Sequence, residues 1–487
     1  MNAGLLVALA VLVPLTGAGL IALAGRWPNL RESITVVTAL LLFCVNALLA
    51  VRVLGGEAPA LHAIEPVEGV AFAFAIEPLG MLFGLVASFL WIVNSVYSIG
   101  YMRANGERHQ TRFYVCFAIA LASTMGLAFS ANLFTLFVFY EALTLSTYPL
   151  VTHAGTEKAV RAGRVYLGIL ISTSIVFLLT AILIVWQQTG TLTFAPGGIL
   201  QGKVSDTLGL ILLAMFMYGI GKAALMPIHP WLPAAMVAPT PVSALLHAVA
   251  VVKAGVFTVV KVIVYVFGLD YLQNLGGSEW LLYVSGATII VASVIALQAD
   301  NLKRRLAYST VSQLSYVIMA AALFTPMAVA GAVLHIAAHA FGKITLFFAA
   351  GSIYTAAHKT EVSQLDGIGR RMPWTMAAFG IGALSMIGLP LTAGFVSKWY
   401  FLSGALDARS VVTICVIFAS TLLNAGYFLP IVYRAFFRPA PEGGPHDDHG
   451  EAPFPIVLAL SITAAGTIVL FLLPQLPLAL ARAVVGG

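Results

Sequence analysis

The sequence predicts an all-α polytopic membrane protein with about 14 transmembrane helices. Of its 487 residues, 60% are hydrophobic and only 9% are charged, whereas about 25% of the residues of a soluble domain are charged. The chain contains 14 apolar runs, and crossing a bilayer takes about 20 apolar residues. Strands that alternate polar with apolar residues are not apparent, and helices satisfy their own backbone hydrogen bonds in lipid. This composition excludes a water-soluble enzyme.

The apolar runs give the expected spans in chain order. Residues 3–24 lack a basic leading segment and exceed the length of the hydrophobic region of a signal peptide, so we expect a retained first span. The 14 expected spans cover residues 3–24, 33–54, 71–101, 113–130, 132–153, 165–187, 207–226, 240–268, 280–298, 306–324, 327–353, 373–404, 411–433 and 455–482.

The distribution of basic residues predicts the orientation in the membrane. Sixteen of the 25 lysines and arginines fall in one set of alternate loops, and only four lie in or beside the other set. Because basic loops stay in the cytoplasm, we expect a multi-pass protein of the plasma (inner) membrane with both termini outside. The acidic residues Glu57, Glu65 and Glu68 would then face outward. The net charge of +6 resides in these short loops, which argues against nucleic acid as a partner.

Five lysines fall inside the expected spans. A charged side chain at the bilayer centre costs roughly 2.5 to 3.5 kcal/mol, so such residues usually face protein or water and serve a function. Lys261 lies near the end of its span, where its amine can reach the membrane surface, and no transport role is assigned to it. The five are Lys222, Lys253, Lys261, Lys343 and Lys398.

Glu141 is the carboxylate that lies well inside an expected span. Burial favours the neutral form of a carboxylate, and a nearby ammonium group reverses this preference. Lys222 is the natural partner for Glu141. One interpretation is a static ion pair that joins two helices, and the other is a functional site. The additional buried lysines and histidines favour the functional interpretation.

Two spans contain helix-breaking residues close to a lysine. Pro227, Pro230 and Pro233 follow Lys222 and remove three backbone donors. These prolines either interrupt the seventh span or form the loop after it. The segment SMIGLPLTAGFVSKW places a second interruption directly before Lys398. Similarly interrupted segments in two halves of a chain indicate an inverted-repeat transporter with polar sites at the breaks.

Histidines accompany the lysines in two further spans. His247 and Lys253 are separated by six residues, or about 9 Å along a helix, so water would have to bridge them. His335, His339 and Lys343 are spaced by four and share one face of a helix. Histidine exchanges protons near neutral pH, so this face suits proton transfer. Metal binding by the two histidines is an alternative, although no carboxylate in that segment completes a site.

No cofactor motif is present in the sequence. The three cysteines are isolated, without the spacing of a metal or iron–sulfur site. A polar run containing His446, Asp447, Asp448 and His449 resembles a metal site only in composition, and its prolines and glycines are typical of a solvated linker. We therefore expect no cofactor, no metal and no catalysis by this chain alone.

Three motifs resemble the antiporter-like subunits shared by respiratory complex I, membrane-bound hydrogenases and Mrp-type cation/proton antiporters. They are YEALTLSTYPLVTH around Glu141, YGIGKAALMPIHPWLPAAMVAPTPVSALLHAVAVVKAGVF around Lys222 and Lys253, and TAGFVSKW around Lys398. The resemblance covers nearly the whole chain. Among these subunits the chain is similar to the shorter ones, including the Mrp D subunit, because it ends soon after the fourteenth span.

The resemblance implies two inverted five-helix repeats with broken helices at spans 7 and 12. The implied domains are an N-terminal three-helix segment (1–111), the two repeats (112–268 and 277–435), and a cytoplasmic linker with the last helix (436–487). It also implies that Glu141 pairs with Lys222 and that Lys398, where some relatives carry a glutamate, ends a proton relay. The expected relay residues are Glu141, Lys222, His247, Lys253, His335, His339, Lys343 and Lys398.

Three roles are compatible with these features. The first is a proton-translocating subunit of a multisubunit Na+/H+ antiporter of the Mrp type, working with other membrane subunits. The second is a proton-pumping membrane subunit of complex I (NADH-quinone oxidoreductase) or a related hydrogenase. The third is a non-transporting membrane anchor, which the buried lysines argue against. Sodium requires several oxygen ligands, so we expect protons in this chain and any sodium path in a partner.

Overall fold

The computed structural model describes residues 2–67, 70–440 and 450–486. Glu68 and the run from His446 to His449 lie outside these described residues. Within them we distinguish 16 helices of ten residues or more. These are α1 (Ala3–Leu23), α2 (Pro28–Leu54), α3 (Pro78–Ala104), α4 (Gln110–Ala128), α5 (Leu133–Val151), α6 (Glu157–Thr189), α7 (Asp206–Gly219), α8 (Thr240–Phe267), α9 (Trp280–Gln298), α10 (Leu302–Ala321), α11 (Pro326–Ala357), α12 (Pro373–Ile387), α13 (Ala393–Asp407), α14 (Val411–Phe437), α15 (Phe454–Leu472) and α16 (Gln475–Val484).

The helical architecture confirms the expected fold class. In the described part of the chain, 11 helices are long and apolar enough to cross a membrane. In α8 and α11 an apolar stretch of 18 residues is entirely buried, whereas only 33% of such a stretch is buried in α14 and in α15. Outer helices expose large apolar side chains such as Phe418 and Leu422, a pattern that indicates contact with lipid or other subunits. The count of 14 spans stays a prediction.

The interpretation that the chain lacks strands is wrong. Residues Ala60–Val67 (β1) and Val70–Ala75 (β2) form an antiparallel hairpin. Phe72 and Phe74 alternate with alanines in β2 and pack against Phe134 and Phe139 of α5. This two-residue period lies within the apolar run 71–101, which hydropathy assigns entirely to a span. The third helix begins only at Pro78, a residue suited to the first helical position.

The last expected span, 455–482, is also divided. Helix α15 ends at Leu472 and α16 begins at Gln475. Pro474 lies at the junction and lacks the backbone N–H that a continuous helix would need there. The continuous span predicted from hydropathy is therefore two helices.

Contacts between loops agree with the expected alternation of loops between two faces. On one face, the basic face, the Lys303 amine donates to the Ala238 carbonyl and the Arg112 guanidinium donates to the His153 carbonyl. On the opposite face, the hairpin bonds to the turn after α4 through Ala75 and Phe129. The loops with many basic residues thus share one face. The cytoplasmic location of that face and of the membrane around it stays a prediction.

His153 provides a pH-dependent contact at the basic face, beyond the end of α5. Its buried imidazole lies 3.8 Å from Glu107. Burial, and secondarily the positive charge of Arg112, lower the pKa of His153 to about 4. Burial also raises the pKa of Glu107, which weakens the attraction of this carboxylate for a protonated His153 as the pH falls.

Acidification should therefore destabilise the folded protein between pH 6.5 and 4. In this window the unfolded state, with a histidine pKa of about 6.5, binds the proton that the folded state excludes, so stability falls by at most about 1.4 kcal/mol per pH unit. Thermal unfolding of the purified protein across this range would measure the effect. His153→Gln should flatten the dependence, and an unchanged slope in this variant would contradict the assignment to His153.

Candidate functional site

The break after α7 places Lys222 in the interior of the bundle. The α-helix ends at Gly219, and Lys222 lies in a single 3₁₀ turn, Gly221–Ala223, followed by Ala224 with φ of 54°. A Cβ on Gly255 of α8 would lie 2.3 Å from the backbone of this turn. Only glycine permits so close an approach. The expected interruption of the seventh span is confirmed, and it begins before the prolines rather than at them.

The side chain of Lys222 binds to α5. Its amine donates to the Tyr140 carbonyl at 2.9 Å and to the Thr144 hydroxyl at 2.5 Å. The ammonium also lies 3.2 Å from the centre of the Tyr140 ring, a favourable cation–π position. The side chain is fully buried. These contacts satisfy the ammonium through a ring, a hydroxyl and a carbonyl.

The structure does not show the expected ion pair between Glu141 and Lys222. Among the described residues no nitrogen–oxygen contact of 4.0 Å or less joins the two side chains. Both carboxylate oxygens of Glu141 are buried without a hydrogen-bond partner in the described part of the chain. Leu145, one turn further along α5, is 58% exposed. Glu141 therefore lies where the bundle interior meets the outer surface.

A direct contact joins the two central helices. The Lys253 amine of α8 contacts Nδ1 of His339 in α11, and both side chains are buried. His247 lies in a π-helical turn, Leu245–Val249, and its ring is 4.9 Å from that of Phe347. Both His247 nitrogens lack a hydrogen-bond partner among the described residues. The structure thus brings Lys253 to His339, while His247 stays without a polar contact to either.

His335 lies between His339 and the second helix break, which precedes Lys398. Its ring centre is 6.0 Å from that of His339, as their four-residue spacing on one helix predicts. Nδ1 of His335 bonds the Ser397 hydroxyl at 2.9 Å, and Nε2 bonds the Gln313 amide oxygen at 3.0 Å. With both nitrogens engaged, His335 is oriented by α10 and α13.

Lys398 lies at the second break, between α12 and α13. Its amine donates to the carbonyls of Met386 and Ile387, each at 2.9 Å. These carbonyls are available because α12 ends at Ile387, and a helix terminus leaves its last carbonyls unpaired. The amine also lies 4.6 Å from the Tyr316 ring, which stacks on His335 at 5.8 Å. The break therefore supplies the ligands of the ammonium, and Tyr316 and Ser397 connect it to His335.

Lys343 lies on a separate branch. Its amine donates to the Ser309 hydroxyl at 2.7 Å, and the Tyr427 hydroxyl donates to the same oxygen at 3.1 Å. Its contacts thus run toward α10 and α14, away from Ser397. The sequence correctly indicates that Lys343 shares a helix face with the two histidines. It does not indicate that the amine contacts α10 and α14 instead of extending toward Ser397.

The buried amines and His335 require partners that sequence reasoning missed. The side-chain types of these partners gave no signal in the sequence, because aromatic, hydroxyl and amide side chains are common in membrane helices. Motif position alone provided a clue for some of them, since Tyr140 and Thr144 flank Glu141 and Ser397 precedes Lys398. The residues missed are Tyr140, Thr144, Ser309, Gln313, Tyr316 and Ser397.

Lys261 does not reach the membrane surface as expected. Its amine is fully buried, lies 3.2 Å from the Glu77 carboxylate and donates to the Ser130 carbonyl at 2.7 Å. Glu77 directly precedes α3 and was not identified from the sequence because it lies outside the lysine's own span. A buried ion pair is therefore present at the opposite face, in place of a lysine at the membrane surface.

Metal ligation does not fit the histidine pair in this arrangement. Ser397 and Gln313 engage His335, and Lys253 contacts His339. Within residues 2–67, 70–440 and 450–486 no group of three histidine, cysteine or acidic side chains is arranged to hold a metal ion. The contacts instead connect groups that donate and accept protons.

Comparison with known proteins identifies the family. Residues 130–424 match the transmembrane family model described as NADH:quinone oxidoreductase/Mrp antiporter. NADH-quinone oxidoreductase subunit N of Desulforudis audaxviator is 36% identical over 378 residues, covering 76% of this chain and 74% of that protein. The D subunit of a Na+/H+ antiporter from Alkalihalophilus pseudofirmus is 26% identical over 436 residues, covering 89% and 87%.

The fold also matches a solved membrane complex. A chain of the Mrp complex from Dietzia sp. DQ12-45-1b superposes with a TM-score of 0.87 at 21% identity, covering 99% of this chain and 97% of that one. The architecture is thus shared over the full length. The matched model covers more than half of the chain, so the chain belongs to the NADH:quinone oxidoreductase/Mrp antiporter family and is an antiporter-like membrane subunit of it.

Proposed function

We propose that this chain translocates protons through its buried lysines and histidines as a subunit of a multisubunit Na+/H+ antiporter. The observation that supports the proposal best is the set of contacts from Lys253 through His339 and His335 to Ser397, beside Lys398. Ionisable groups inside a membrane bundle are costly and mark proton paths. The Lys222 turn packs on α8 at Gly255, two residues from Lys253, and so adjoins this line.

The proposed mechanism is electrostatic. When Glu141 approaches Lys222, the carboxylate stabilises the ammonium and favours proton uptake, and separation favours release. In the structure the ammonium is held by Tyr140 and Thr144, and the uptake state of the proposed cycle would add a direct contact with Glu141. The released proton would pass to Lys253, then through His339 and His335 to Lys398.

We assign protons rather than sodium to this chain. Sodium needs several oxygen ligands, and the amines already engage the available carbonyls and hydroxyls. The sodium path would then lie in a partner protein of the hetero-oligomeric complex. In the proposed setting both termini face outward from the plasma membrane, and the basic face is cytoplasmic. Sodium transport by this chain alone in liposomes would contradict the assignment.

A redox-driven pump is the second candidate. It is favoured by the 36% identity to an NADH-quinone oxidoreductase subunit. The proton path would be the same in that setting, and electron transfer in partner proteins would drive it. The antiporter proposal draws support from the higher coverage of both chains in the match to the Na+/H+ antiporter relative, 89% and 87%, against 76% and 74% for the oxidoreductase subunit.

Purification of the intact complex from its native membrane tests the proposal. We expect small membrane subunits without flavin or iron–sulfur proteins, and proton movement driven by a sodium gradient in proteoliposomes. Redox subunits in the complex, with proton movement driven by electron transfer, would support the second candidate. A complex in which substitution of Lys222 leaves proton movement unchanged would contradict both and favour a membrane anchor.

A further inference from the structure

We propose that Lys261 and Glu77 form a proton-release site at the opposite face of this subunit. The inference rests on the proposed proton translocation and adds to it a second exit, which branches from the relay at Lys253. None of the relay steps described above uses Lys261 or Glu77. The proposal is argued from the position of Lys261 on α8, its partners and its access to the surface.

Lys261 extends the line of buried amines along α8. Lys253, Phe257 and Lys261 are spaced by four, so they occupy one side of the helix. Eight residues correspond to about 12 Å of rise, which brings Lys261 from the centre of the bundle toward the opposite face. The Lys261 side chain is fully buried, although its position near a helix end would allow a long side chain to reach the surface.

The surroundings of Lys261 suit a transient proton carrier. The amine contacts one carboxylate, that of Glu77, and one carbonyl, that of Ser130. The rings of Phe194 and Phe257 lie 4.4 and 5.5 Å from the amine. An ammonium with a single carboxylate partner can transfer its proton to that carboxylate directly, since both groups become neutral and neither is left as an unpaired buried charge.

Glu77 connects the lysine to the surface. Its side chain is 19% exposed, and it lies close enough to Tyr265 for an electrostatic interaction. Tyr265 lines a cavity of about 310 Å³ together with Asp270 and Gln273. The partly exposed Glu77 carboxylate therefore lies between the buried Lys261 amine and the surface at this face.

Phe257 separates the two lysines of α8. Its ring packs against Phe83 with centres 5.2 Å apart. Transfer from Lys253 to Lys261 requires water beside this ring, or its displacement. The ring closes the route between transfer events, which prevents free return of protons from the opposite face.

The alternative is a structural ion pair that joins α8 to the start of α3. Lys261→Arg distinguishes the two roles. Arginine keeps the positive charge and the ion pair, but it does not lose its proton in proteins. A structural pair tolerates arginine, whereas a proton carrier does not.

The experiment measures initial proton release from proteoliposomes that contain the intact complex. We expect Lys261→Arg and Glu77→Gln to lower the rate to about half, because the route through His339 to Lys398 stays open, and we expect Lys261→Arg, which keeps the ion pair, to leave the amount of complex and its melting temperature at wild-type values. The double variant Lys261→Met/Glu77→Gln removes both charges, avoids an unpaired buried ion, and should be equally slow. Glu57→Gln, which alters an exposed pair with Arg52 on the same face, is the matched control.

The outcomes separate this proposal from the proposed function. A wild-type rate in Lys261→Arg, alongside an inactive Lys222→Met variant, would overturn the exit and leave proton translocation intact. A wild-type rate in the double variant would do the same even if Lys261→Arg were unstable. Full activity of Lys222→Met as well would overturn both the exit and the translocation it rests on.

Discussion

Replacing Lys222 by methionine should nearly abolish proton translocation by the reconstituted complex. Methionine is similar in length to lysine but cannot bind a proton. The proposed proton transfer from the Glu141–Lys222 site to Lys253 is therefore lost. We expect the initial rate to fall at least about tenfold, which corresponds to about 1.4 kcal/mol in the barrier. Fluorescent pH indicators inside proteoliposomes would measure this rate.

The amount of assembled complex should not fall in this variant. A buried charge opposes membrane insertion by roughly 2.5 to 3.5 kcal/mol, so replacing Lys222 by methionine removes this free-energy cost of insertion. The Tyr140 carbonyl, which loses the Lys222 amine, still accepts from the Thr144 hydroxyl. Loss of activity can therefore be separated from loss of folding by quantifying the complex in the membrane.

Two companion variants test the interpretation of Lys222. Lys222→Arg keeps a permanent charge, so it should support a static lock between helices but not proton transfer. Lys203→Met removes a lysine from the exposed surface and should retain the wild-type rate. If Lys222→Arg also translocates protons at the wild-type rate, the lysine serves only to hold α5 and the broken helix together.

The sequence predicted the positions of the buried amines better than their partners. Lys222 and Lys398 were found because a lysine in an apolar run is conspicuous, and the adjacent prolines and glycines indicated the breaks. The ligands of Lys398 are backbone carbonyls freed by the end of α12, and no residue type encodes such ligands. The helix ends at Ile387 because Gly388 adopts a left-handed conformation with φ of 91°, but the sequence does not indicate which side chain reaches the carbonyls exposed there.

Contacts between residues far apart in the sequence account for most of the other differences between the predicted and the observed structure. Lys261 and Glu77 meet through the packing of α8 against the start of α3, a contact that neither local sequence indicates. The hairpin was missed because Phe72 and Phe74 alternate only with alanines, so hydropathy alone gave no polar positions. The binding of the Lys222 amine by Tyr140 and Thr144 likewise follows from how the broken helix packs against α5, which the sequence of neither segment indicates.

Lys253→Met should reduce proton translocation about as strongly as Lys222→Met. Lys253 is the amine in direct contact with His339, and this contact joins α8 to α11. His339→Gln keeps a side chain that can hydrogen-bond to Lys253 but cannot carry a proton at neutral pH. We expect Lys253→Met to lower the initial rate at least about tenfold and His339→Gln, which leaves the branch to Lys261 intact, to lower it less, measured in the same proteoliposomes.

The double variant Lys253→Met/His339→Gln decides whether these residues act in one path. If Lys253 and His339 carry the same proton one after the other, either substitution alone already impairs that path. The double variant should therefore be no slower than the slower single variant. Additive losses would indicate two parallel paths and contradict the proposed order. Lys343→Met is the matched comparison, because its amine engages Ser309 rather than a member of the line to Lys398. It should retain a larger share of the wild-type rate than Lys253→Met, since a proton passing from His339 to His335 need not visit the Lys343 branch.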